Sequence, residues 1–236
     1  ANITNAVVAF QSVHNGTNYY CSTTTNLGAG NYSCELNTTT LEPGWHNVTM
    51  NSTKSNHNTN VTTKINAFFV ETEPVLVGAN VTPDPGGWGE TFTLRVNATD
   101  RDNDTMSVQL WVRKQPASAW TLQASNSSVI GTNVTVKFTR TFTSSDIGVW
   151  DYKFNVTEDD AGQINETAVR NFTVEKDDIQ VQLVAGNTSV AGRPSTLQPN
   201  TTTLTVRVLD TDRGIYLDSG FQGRFCISTN NGPTYR

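Results

Sequence analysis

Apolar residues in this chain recur at every second position in short bursts, and nowhere hold the spacing of a helix beyond about a turn. Up to residue 71 the bursts are AVVAF at 6–10, TNYYC at 17–21, NYSCEL at 31–36, WHNVTM at 45–50 and KINAFFV at 64–70. Each has the length of a strand, and Gly, Asn or Pro-Gly separates it from the next, so each is predicted to be one. ETEP at 71–74 reads as a linker. Beyond it the pattern predicts strands at 75–83, 89–99, 106–114, 120–124, 133–142, 148–157 and 168–175. Seven short strands in about a hundred residues predict an antiparallel β-sandwich.

The alternation also assigns faces. Val134, Val136 and Phe138 point opposite to Asn133, Tyr152, Phe154 and Val156 opposite to Asn155, and Phe172 and Val174 opposite to Asn171. A repeat marks the edges of modules. TLRVNATDRD at 93–102 returns as TLTVRVLDTD at 203–212, and NAFFVE at 66–71 returns as RNFTVE at 170–175. The expectation is an all-β chain of tandem antiparallel β-sandwich domains at 1–71, 72–175 and 176–236, the last short for a full module.

Composition fixes the setting. Only 16% of residues are charged, and the net charge is -5 with no basic run, which excludes nucleic acid and an anionic membrane surface as partners. No apolar stretch of membrane-spanning length occurs, no signal-peptide pattern opens the sequence, and Ala1 reads as a processed start with any anchor outside this stretch. Asn-x-Ser/Thr acceptors occur at Asn2, Asn15, Asn31, Asn37, Asn47, Asn51, Asn60, Asn80, Asn97, Asn103, Asn126, Asn133, Asn155, Asn165, Asn171, Asn187 and Asn200. That is 17 of 25 Asn residues, where chance gives roughly 6. Extracellular N-glycosylation at a cell surface is the expectation. In that compartment Cys21 and Cys34, 13 positions apart, are read as a disulfide in preference to two buried thiols. Cys226 is left over and implies a partner beyond Arg236.

Two stretches carry a family resemblance. DIGVWDY at 146–152 resembles the D-x-G-x-Y-x-C stretch of immunoglobulin-like domains, with Trp150 at the Tyr place and Tyr152 at the Cys place. Trp111 stands where such domains keep a core Trp on the third strand, while the missing Cys pair sets the chain apart from antibody-type members. ATDRDNDTMSV at 98–108 resembles the D-x-D-x-D-T loop of cadherin-like and polycystin-type repeats in prokaryotic, above all archaeal, surface proteins. The resemblance implies immunoglobulin-like sandwiches in series and, on the cadherin-like side, Ca2+ at their joints.

The candidate chemistry lies in the acidic loops. In such a sandwich the incoming linker meets two loop tips, so Glu71 and Glu73 converge on Asp100, Asp102 and Asp104 and on Glu158, Asp159 and Asp160. Glu175, Asp177, Asp178, Asp210 and Asp212 repeat the arrangement at the next joint. Crowded carboxylates invite a hard cation, and Ca2+ takes 6 to 8 oxygens; the alternative is that these are loop residues with solvated charges. An EF-hand is excluded, since Thr105 replaces the turn Gly and Trp111 the bidentate Glu. His14, His46 and His57 sit among Asn and Thr and read as exposed surface residues, and no catalytic residues are assigned. Trp88 and Trp120 in loops either stack on sugar or cap a core. The run NAVVAF pairs within its own module or completes a neighbour's sheet.

The expected function is a non-enzymatic, heavily N-glycosylated structural or adhesive protein, either an S-layer component, an adhesin stalk or an extracellular filament subunit. Its partners would be copies of itself or other surface proteins. The alternatives are a carbohydrate- or protein-binding module and an accessory region of a larger secreted enzyme.

Overall fold

A computed structural model describes residues 6–116, 118–159, 162–185, 204–220, 222–224 and 226. They form eighteen strands in chain order, two single turns of 3-10 helix and no α-helix. No sheet mixes strands from before Glu71 with strands after Pro74, or strands from before Lys176 with strands after Asp178. We call the three sets of strands the first, second and third modules.

The first module holds β1 (Val7–His14), β2 (Thr17–Tyr20), β3 (Thr23–Gly28), β4 (Asn31–Glu35), β5 (Gly44–Thr53) and β6 (Asn60–Val70). Four of these make an antiparallel sheet in the order β2-β1-β5-β6, and β3-β4 is a separate hairpin. The Cys21–Cys34 disulfide joins the end of the first hairpin to β4, with its Cα atoms 6.0 Å apart. The N-terminal run pairs within its own chain, Val7 opposite Thr53 and Phe10 opposite Met50. β3 was not foreseen as a strand. TTTNLG has no apolar alternation and every one of its residues is exposed, so only its pairing with β4 makes it one.

One expectation fails in this module: His46 is completely buried. Its ring stacks between His14 at 4.7 Å and Phe68 at 5.0 Å. Nε2 lies 2.8 Å from the Glu42 carbonyl, which can only accept, so Nε2 carries the proton and Nδ1 accepts from the Ser12 hydroxyl at 2.8 Å. Histidine among Asn and Thr gives no apolar signal, so the burial of His46 follows only from its place on β5 between His14 and Phe68. The packing around it is thin: a cavity of about 310 Å3 lined by Phe10, Cys21, Cys34, Leu36, Val48 and Phe68 separates sheet and hairpin.

The second module contains β7 (Val75–Thr82), β8 (Gly86–Gly87), β9 (Thr91–Thr99), β10 (Met106–Lys114), β11 (Thr121–Val129), β12 (Val134–Thr141), β13 (Gly148–Glu158), β14 (Ile164–Glu166) and β15 (Arg170–Glu175). One sheet runs β12-β9-β7 and the other β11-β10-β13-β15-β8. Counting the seven long strands, the first, second and fifth face the third, fourth, sixth and seventh, which is the two-sheet arrangement of immunoglobulin-like sandwiches. Inward positions alternate as foreseen: Phe92, Leu94, Val96 and Ala98 meet Met106, Val108, Leu110, Tyr152, Phe154, Val156, Phe172 and Val174 in one continuous core.

Trp150 in this core donates its indole N–H to the Asp146 carbonyl at 2.8 Å. It thereby serves as the corner that a tyrosine forms in immunoglobulin domains by bonding to backbone just upstream. Trp111 departs from its expected core place. On β10 the even-numbered residues face inward, so Trp111 points outward, half-buried, with its N–H on Gln109 at 3.1 Å.

The third module is, among the described residues, one three-stranded sheet of β16 (Ile179–Ala185), β17 (Thr205–Asp210) and β18 (Ile215–Tyr216) in that order. The rest of the sandwich expected for 176–236 lies outside the described residues.

Two measurements check this packing. Trp150→Phe should cost about 1 to 2 kcal/mol, the usual loss on breaking a buried hydrogen bond, while Trp111→Phe should cost under about 0.5. Reduction of Cys21–Cys34 should destabilise the first module by about 3 kcal/mol, the loop-closure value for a ring of this size, and leave the unfolding of the second module unchanged.

Candidate metal centre

The alternation that builds the second core also delivers acids to its end. Leu94, Val96 and Ala98 face inward on β9, and the next position of that parity is Asp100; Tyr152, Phe154 and Val156 face inward on β13, and the next is Glu158. Asp100 is 0% exposed and Glu158 2%. Both lie under the linker from the first module, where Thr72 donates its N–H and its hydroxyl to Asp102 Oδ2 and its hydroxyl to Asp100 Oδ1.

Several of these buried oxygens have no donor. Asp100 Oδ2, Asp102 Oδ1 and both oxygens of Glu158 are buried without a hydrogen bond. Among the described residues no Lys or Arg pairs with Asp100, Asp102 or Glu158, and the nearby Arg101 turns away to Glu42 at 3.1 Å. Ligand oxygens of Glu71, Asp102 and Asp104 fall within 4.8 Å of one another. Oxygens bound to a single Ca2+ at about 2.3–2.6 Å are at most roughly 5 Å apart, so this spacing fits one ion. Uncompensated buried carboxylates are costly, and protons or a cation must neutralise them.

The protonation behaviour follows. Burial, reinforced by Asp100, Asp102, Asp104 and Glu71, pushes Glu158 up to about 7. Burial and the adjoining Asp102 carboxyl push Asp100 up to about 6. Burial works on Asp102 in the same direction, but a protonated Asp100 carboxyl becomes a donor to it, and that bond with those from Thr72 outweighs burial and holds Asp102 below the usual carboxylate range. A cation binding here would compete with protons on Asp100 and Glu158.

Of the carboxylates expected here, Glu71, Asp100, Asp102 and Asp104 come together as foreseen. Glu73 and Asp159 are exposed, and Asp160 lies outside the described residues. Glu158, expected only as part of a crowded loop, is almost completely buried with neither carboxylate oxygen bonded; its parity with Phe154 and Val156 is the signal for it.

The second joint is built differently. Asp210, 0% exposed, accepts from the Arg213 backbone N–H at 2.9 Å and from its Nε at 2.7 Å, and the same guanidinium bonds Asp177. Asp212 accepts from the Asp178 N–H at 2.7 Å, so Asp178 contributes backbone only. The Glu175 carbonyl accepts from the Trp88 N–H at 3.0 Å.

Of the seventeen acceptor asparagines, Asn2, Asn187 and Asn200 lie outside the described residues, and none of the other fourteen is buried. Asn15, Asn31, Asn37, Asn51, Asn60, Asn103, Asn126, Asn133 and Asn171 are exposed, while Asn47, Asn80, Asn97, Asn155 and Asn165 are half-buried. Cys226 is exposed and unpaired among the described residues. Of the loop tryptophans, Trp88 packs against the end of the core with Arg213 over it at 5.2 Å, while Trp120 lies beside Arg113, at 4.6 Å, and Lys153 on the outer side of the sheet. No helix among the described residues is long and apolar enough to cross a membrane.

No family model matches the chain, and no curated protein matches it. Among solved structures, a chain of a cytokine receptor complex is matched at 14% identity over 70% of this chain and 85% of that one, with a TM-score of 0.35.

A pH profile tests the metal-free site. Glu158 has an ordinary value of 4.5 and is raised to about 7 in the fold, so between those limits the folded state binds more protons than the unfolded state. Stability from this group is complete below the lower value and is lost as pH rises through the upper one. The melting temperature of chelator-treated protein should fall from about pH 5 to pH 8, and Glu158→Gln should flatten that slope; a midpoint that rises over the range contradicts the assignment.

Proposed function

We propose that this chain is a non-enzymatic, heavily N-glycosylated extracellular protein with a structural or adhesive role, as an S-layer component, adhesin stalk or filament subunit of an archaeal or other prokaryotic cell surface. The observation that carries the reading is the agreement between two independent patterns: fourteen described acceptor asparagines, in strands as well as loops, and none on an inward face. Sandwiches in series provide length, and a surface of hydroxyls, amides and sugars provides hydration without charge. Ca2+ at the first joint, held by Asp100, Asp102, Asp104, Glu71 and Glu158, fixes the linker against the second module. The partners in this reading are copies of the chain or other surface proteins.

A second reading, binding of a saccharide or a peptide, is favoured by one place the sequence did not single out. Trp45 is 54% exposed at the mouth of a cleft of about 610 Å3 that is also lined by Glu42, Phe69, Arg101 and Asp102. Trp45→Ala separates the two readings: it removes ligand binding in the second and leaves assembly intact in the first.

Two outcomes are expected for protein from its native source. Peptide mapping should find glycan on most of the fourteen exposed or half-buried acceptors, and an unmodified mass would sink the glycoprotein reading. Chelation at neutral pH should lower the melting midpoint of the second module. At a hundredfold excess over Kd a bound ion adds about 2.7 kcal/mol, equivalent to roughly 10–20 °C for a module of this size. An unchanged midpoint would remove calcium.

A further inference from the structure

The two joints share a loop and differ in one cation. Aligned on the repeat, Asp100, Arg101, Asp102, Asn103 and Asp104 correspond to Asp210, Thr211, Asp212, Arg213 and Gly214. The shared parts superpose in role. The first Asp of each loop is completely buried, and the second accepts a backbone N–H from the linker, Thr72 in one joint and Asp178 in the other. At the first joint the buried Asp100 Oδ2 and both Glu158 oxygens lack any donor. At the second, Arg213 supplies donors to both oxygens of Asp210 and to one of Asp177, leaving Asp177 Oδ1 as the one buried donorless oxygen there among the described residues.

The platform beneath Arg213 is shaped for it. A Cβ at Gly89 would stand 3.2 Å from Arg213 Nη1, and one at Gly87 would stand 2.6 Å from Asp177 Oδ1 and 2.8 Å from Asp212 Oδ2. The GGWG run at 86–89 thus lets acids and guanidinium settle onto the second module with the ring of Trp88 under the charge.

We propose that Arg213 is the residue that decides whether this loop takes a metal: it occupies the cation position of the second joint, which is therefore closed without calcium, while the first joint, with Asn103 and Asp104 in the matching places, requires an ion. The guanidinium already paired with Asp210 and Asp177 supplies the positive charge that a divalent cation would bring, so the chain has one joint that responds to metal and one that does not. The inference rests on the calcium reading of the first joint only for what it says of that joint.

Calcium titration calorimetry on the whole chain tests it, with terbium luminescence sensitised by the nearby tryptophans as a second readout. Wild type should bind one ion, and R213N/G214D, which restores the first joint's loop chemistry, should bind two. R213Q, which alters one side chain only, should gain a calcium-dependent rise in melting midpoint beyond that of wild type, and R213K, which keeps the charge, should gain none. Two ions on wild type, or a folded R213N/G214D that binds no more than wild type together with an R213Q whose midpoint shift matches wild type, would overturn the proposal. No ion on wild type and one on R213N/G214D would refute the first-joint reading and leave Arg213 in its role.

Discussion

A carboxylate removed from water needs a positive partner, and the joints of this protein are organised around that requirement. β9, β13 and β17 each end by placing an acid where alternation would otherwise place an aliphatic side chain: Asp100, Glu158 and Asp210. Each is buried, and among the described residues only Asp210 has a cationic side chain paired with it. The linker folds down onto these acids by donating backbone N–H groups to the neighbouring Asp102 and Asp212. The path of the chain between modules is thus tied to the charge state of the tips, through hydrogen bonds that strengthen when the acceptor is ionised.

The sandwich makes this arrangement possible. Its β-strands bring the loops after β9 and β13 to one end, beside the incoming linker, and its continuous apolar core holds that end rigid. Trp150, bonded to Asp146, pins the opposite turn. The Arg101–Glu42 pair spans the first joint at the surface, where both side chains are largely exposed, and exposed pairs of this kind contribute at most about 1 kcal/mol. That pair is therefore a minor contributor beside the bonds that hold the linker itself, from Thr72 to Asp102 and from Asn165 to the Pro74 carbonyl.

Much of this was legible in the sequence because alternation reports burial directly. Six of the seven long strands of the second module, the inward Val, Phe and Tyr positions and the outward acceptor asparagines follow from a period of two. β11 runs on to Val129, past the 120–124 expected, because its pairing with β10, not apolar alternation, extends it. The failures have a common physical origin. Trp111 and His46 were assigned by residue type, by a resemblance in one case and by polarity in the other, and in both the parity of the strand prevailed. β3 carries no apolar signal because pairing alone makes it a strand. Arg213 was invisible for a different reason: a loop arginine is normally solvated, and only the structure shows it folded back across Asp210 and Asp177 onto Trp88.

The central claim, that the buried acids of the first joint hold a divalent cation in place of protons, is tested most directly by calorimetric calcium titration of metal-free protein near pH 6 in two buffers of different ionisation enthalpy. Glu158, raised to about 7, and Asp100, raised to about 6, are both partly protonated there, so binding should release protons and the observed heat should differ between the buffers. A binding heat that is the same in both buffers, or no binding at all, would contradict it.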